Sequence, residues 1–95
     1  MGINFELQHE DGELIEVGDI LLGQDLPGAD DISYPYLRLI NPYGDTTFGA
    51  LQMLAVLPEL DRWSKVRPSK AVLKLLELAQ KCASGHHAYL KLIGD

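Results

Sequence analysis

The chain has one cysteine, Cys82, in 95 residues. A lone thiol cannot close an internal disulfide and fits a reducing, cytoplasmic setting. No apolar run is long enough to span a bilayer. The opening Met1-Gly2-Ile3-Asn4-Phe5-Glu6-Leu7 lacks both the basic start and the apolar stretch of a signal peptide, so no membrane association is expected. Glu6 also stands where a myristoylation start carries Ser or Thr. Gly18, Gly23 and Gly28 are scattered and open no helix, which removes a phosphate-binding loop. Ser33, Ser64, Ser69 and Ser84 never sit in a Gly-x-Ser-x-Gly elbow. Trp63 and the four tyrosines form no spaced stacking platform and the bases are dispersed, so no nucleic-acid partner is expected. Cys82, His86 and His87 are close in sequence. Cys82 falls on a buried helical stripe, however, and adjacent histidines at a strand start point to opposite sides, so neither a metal nor another cofactor is expected. No residue is assigned a catalytic role, and the chain reads as a non-enzyme.

Cations are absent from the first third. Before Arg38 there are nine acids, Glu6, Glu10, Asp11, Glu13, Glu16, Asp19, Asp25, Asp30 and Asp31, and no Lys or Arg. From Arg38 onward eight bases face five acids, which leaves the chain at −6. Such an asymmetry bears on partners rather than on fold. The apolar share of 46% is that of an ordinary globular chain, and the length suits a single domain over residues 1–95.

The turn Asn41-Pro42-Tyr43-Gly44-Asp45-Thr46 organises the middle of the chain. Pro42 presets φ for the second position of a type I turn, Asn41 can bond forward onto the turn backbone, and Gly44 can take the left-handed conformation of a bulged hairpin loop. On that reading Tyr36–Ile40 is a strand that Thr46–Ala50 pairs with, and Gly44→Ala costs about 1 kcal/mol or more. Upstream, Ile3, Phe5 and Leu7 alternate with polar residues, Asp11-Gly12 signals a hairpin, and Glu13–Val17 pairs back with a less regular alternation. Residues 23–33 read as a long loop. Downstream, Met53, Val56, Leu57, Leu60 and Trp63 share one helical face, with Pro58 kinking that helix. Arg67-Pro68-Ser69 starts a second helix with Val72, Leu75, Leu76, Ala79, Cys82 and Ala83 inward. A last strand follows to Ile93. The expected fold is α+β, β-β-β-β-α-α-β, a mostly antiparallel sheet with two helices on one face and the acids of the first two strands lining the other.

Pro42-Tyr43-Gly44-Asp45-Thr46, then Phe48, then Leu51-Gln52 resembles a pattern in small uncharacterised bacterial proteins whose final strand closes with His-x-Tyr-Leu and Gly-Asp. Here His87, Tyr89, Leu90, Gly94 and Asp95 match that ending. The resemblance covers about the last sixty residues and implies two helices followed by a strand. The chain departs from it with Gly49-Ala50 where the pattern has a polar pair.

Charge points to a protein-binding module whose acidic surface engages a basic protein partner. An immunity-type inhibitor seated in the positive cleft of a nucleic-acid-cleaving toxin is its concrete form. The candidate contact residues are Asp25, Asp30, Asp31, Tyr34, Tyr43 and Asp45, acids and tyrosines of the loop and the turn. A subunit of a homodimer or larger complex is the alternative, and would show as an apolar patch on the uncovered sheet face. A small enzyme without a recognisable motif is the third reading.

Overall fold

The computed structural model describes residues 2–85 and 87–94. Strands β1 (Gly2–His9), β2 (Leu14–Leu22) and β3 (Asp45–Gly49) are followed by helices α1 (Met53–Val66) and α2 (Lys70–Ser84) and by strand β4 (Ala88–Ile93). Single 3₁₀ turns lie at Gly23–Asp25, Leu37–Leu39 and Ala50–Gln52. Every strand pair is antiparallel and the order is β2-β1-β4-β3. The fold is thus α+β with one antiparallel sheet, and the last strand is inserted between the first and the third.

The alternation of β1 sends Ile3, Phe5 and Leu7 inward, and Ala88, Leu90 and Leu92 of β4 do the same. They meet Val72, Leu75, Leu78 and Ala79 of α2 and Met53, Val56 and Leu60 of α1 in one core. Each large aliphatic side chain buried there contributes about 1.5–3 kcal/mol. Ser69 caps α2, its hydroxyl accepting the Val72 N–H at 3.1 Å. Pro58 lies inside a continuous α1. It leaves the Leu54 carbonyl without its helical donor on a face where both residues are open to water.

The β1–β2 hairpin turns at Asp11-Gly12. The Gly12 N–H donates to the His9 carbonyl at 2.9 Å, the His9 N–H to the Glu13 carbonyl at 2.8 Å, and Gly12 takes φ 91°. This is the bulged three-residue loop that the later turn was expected to form.

The strand expected at Tyr36–Ile40 is instead a 3₁₀ turn, so the sheet has four strands and β3 pairs with β4 alone. Two causes act together. Buried residues fall at Tyr34, Leu37 and Ile40, a period of three that suits a 3₁₀ turn, whereas Leu39 is exposed. The buried Glu59 carboxylate then accepts the N–H groups of Tyr36 at 3.0 and 3.2 Å and Leu37 at 3.0 Å. It satisfies the donors at the start of that turn. With no preceding strand, Asn41–Gly44 is a plain turn, closed by the Gly44 N–H on the Asn41 carbonyl at 3.4 Å. Gly44 is not left-handed; among the described glycines only Gly12 has positive φ.

Candidate functional site

Two of the expected contact residues are buried, which removes them from any surface. Asp25 is 5% exposed: its carboxylate accepts the Leu22 N–H at 2.9 Å and lies 3.4 Å from Arg67 Nε. Its carbonyl accepts the Trp63 indole N–H at 2.8 Å. Tyr34 is 8% exposed, edge-on to Trp63 at 5.2 Å, with the Arg62 guanidinium 4.9 Å from its ring centre. Both residues anchor the loop between β2 and β3 to α1. Asp30 and Asp31 are on the outside of that loop, where Asp31 accepts the Ser33 N–H at 3.0 Å. Tyr43 is 70% exposed on the turn before β3, and Asp45 lies 3.8 Å from Lys91. The six residues therefore do not form one site.

The opening acids do not gather either. Glu16 points to the helix side, where Lys74 and Lys81 each donate to it at 2.5 Å. The Lys74 and then the Lys81 ammonium hold its carboxyl down to about 2, well below the ordinary value. Glu10, Asp11 and Glu13 stand around the hairpin tip, while Asp30 and Asp31 follow the far end of β2. The nine residues of β2 carry the chain roughly 30 Å from that tip before the loop begins.

Of the acids expected on the uncovered face, Glu6 and Asp19 are there, and apolar side chains of β2 share it with them. Pairing of Asn4 with Ile20, Glu6 with Val17, Gln8 with Leu14 and Gly2 with Leu22 puts all four β2 partners on the outward side. Leu14, Val17, Ile20 and Leu22 are 46–63% exposed. Register shifts in the β1–β2 ladder set this arrangement. At Gly18-Asp19 two residues oppose Phe5, whose ring lies so close that a Cβ on Gly18 would stand 2.2 Å from it. Val17, Ile20 and Ile93, with Asn4, Glu6 and Asp19, line a shallow depression of about 500 Å³ on this face.

A second groove, about 820 Å³, opens between the start of α1, the end of α2 and the start of β4. Exposed Leu51 and Leu54, Tyr89, and the Glu10–His87 pair at 3.1 Å line it. His87 is held at φ 146°, its carbonyl accepting the Glu10 N–H at 2.7 Å. No Ser, Thr or Cys lies among the described residues lining this groove. Cys82 is fully buried with its thiol directed at the Ala88 carbonyl, and burial pushes its pKa up, away from the reactive thiolate. His86 lies outside the described residues. No group of three or more His, Cys, Asp or Glu able to hold a metal ion occurs among the described residues, and no described helix is long and apolar enough to cross a membrane.

The two separated motif stretches are neighbours in space. Phe48 pairs with Leu90 and Gly49 with Tyr89 across β3 and β4. Thr46 Oγ1 accepts the Asn41 N–H at 3.0 Å, and Gln52 Oε1 accepts the Gly49 N–H at 2.6 Å where the strand becomes helix. The Gly94 N–H donates to the Gly44 carbonyl at 2.9 Å, and a Cβ on Gly94 would stand 2.5 Å from the Pro42 backbone. These residues build the β3–β4 edge, and Asp95 lies outside the described residues. No protein-family model matches the chain, and neither a curated protein nor a solved structure is significantly similar to it.

Proposed function

We propose that this protein is a non-enzymatic protein-binding module whose contact surface is the uncovered face of its sheet, centred on β2. One observation carries the reading. Four large aliphatic side chains, Leu14, Val17, Ile20 and Leu22, share the outward side of one edge strand and stay about half exposed. Their exposure to water is costly, and covering them with a partner recovers about 25 cal/mol for each Å² buried. The inhibitor form that rests on clustered carboxylates has less support. Steering into a positive cleft needs acids close together, whereas Glu16 and Asp25 are paired with cations and the others are spread over the molecule.

The test is co-purification from the native source with three forms: the wild type, Val17→Asp/Ile20→Asp, and Leu51→Asp/Leu54→Asp as a control on the other groove. One and the same protein should be retained by the wild type and the control and lost by the β2 variant. Retention by all three places the interface elsewhere.

A further inference from the structure

Resting on that reading, we infer that the occupant of the uncovered face is an amphipathic helix of another protein, apolar along one stripe and flanked by Lys or Arg, rather than a second copy of this chain. The charge of the face selects the partner. Glu6 and Asp19 stand beside Val17, Ile20 and Ile93, and neither forms an ion pair among the described residues, although Asp19 also borders a helix-side depression with Lys70 and Lys74. Lys91, on the same face opposite Glu6, already has Asp45 at 3.8 Å. The β2 side of the face is therefore apolar and lies beside more negative than positive charge. A partner with cationic flanks compensates that charge, and an anionic or identical one does not.

A second copy is disfavoured twice. A twofold contact sets the same patch against itself, so Glu6 and Asp19 would meet their own kind near the axis, on a chain already at −6. Pairing along the free edge of β2 is blunted by the shifts at Asn4/Glu6 and Leu7/Gln8, because a bulged strand does not offer an even row of donors and acceptors. What remains is an element laid across the face that needs no backbone bonds from it. A helix satisfies its own backbone and can drop one side chain into the depression of about 500 Å³.

The experiment uses two synthetic peptides of roughly 18 residues, about five turns, with the same Leu stripe and either Lys or Glu at every flanking position. Each is titrated into the whole protein while backbone amide NMR shifts are followed. The Leu/Lys peptide should shift β2 and the outward residues of β1 and β4. It should bind at least about tenfold more tightly than the Leu/Glu peptide, and should weaken about tenfold between roughly 0.05 M and 0.5 M salt. Glu6→Lys/Asp19→Lys should reverse the order of the two peptides. Equal binding of both at this face, abolished by Val17→Asp/Ile20→Asp, overturns the charge inference and leaves the interface standing. Shifts confined to other surfaces, unaffected by that double variant, overturn both. A dimer seen by sedimentation in the absence of peptide and lost in the same variant makes the occupant a second copy and overturns the inference.

Discussion

Glu16 shows how little a residue's type says about its task. In the sequence it is one of nine acids that precede the first cation, Arg38. In the fold it faces α2 and bridges two lysines, and Glu77 completes the group through Lys74 at 2.8 Å. Its carboxyl titrates near 2 in the folded chain against an ordinary 4.5. Folding is therefore favoured by this group at pH above 4.5, and the advantage drains away as pH falls from 4.5 toward 2. Glu16→Gln should lose less stability than the wild type across that window, as read from urea midpoints at neutral and acid pH; parallel losses would mean that the bridge is not formed. Glu59 is the second residue whose role only the fold reveals. It is 5% exposed and holds two backbone N–H groups. Glu59→Ala strands those donors, so a cost of about 2–4 kcal/mol is expected, with faster amide exchange at Tyr36 and Leu37; Glu59→Gln keeps an acceptor and should cost clearly less.

Among elements, those whose signal is local were legible. The alternation of Ile3, Phe5 and Leu7 and the helical stripes follow from neighbours within a turn or two. Leu37–Leu39 was not, because its stabilising carboxylate arrives from Glu59, more than twenty residues later. β2 was half legible. Its poor alternation is the trace of two register shifts, which send Glu16 inward and Leu14, Val17 and Ile20 outward. The two turns exchange roles in the same way. Gly12 holds φ 91° with nothing near its missing Cβ, so Gly12→Ala should cost about 1 kcal/mol from backbone strain alone. Gly44→Ala meets the Asn41 amide at 2.8 Å, whose displacement loosens only its exposed bond from the Tyr43 N–H at 2.9 Å, and should be milder. Thermal melts of the two variants check the order.

For the whole molecule, the charge count was right and its geography was not. The sequence shows an acidic first third; the fold spends two of those acids on cation pairs, puts three around a hairpin tip, and sets Glu6 and Asp19 beside a row of apolar β2 side chains on the open sheet face. Whole-molecule behaviour should follow that face. Val17→Asp/Ile20→Asp removes two half-exposed β-branched side chains and puts a carboxylate opposite Glu6, so a cost of about 1–2 kcal/mol is expected with the fold retained, while partner retention is lost. The most direct measurement is photo-crosslinking in the native source from a benzophenone side chain at position 17, compared with one at exposed position 80 on α2. A single discrete adduct from position 17 and none from position 80 is the expected result. Adducts from position 80 with none from position 17 would contradict the assignment of the interface to β2.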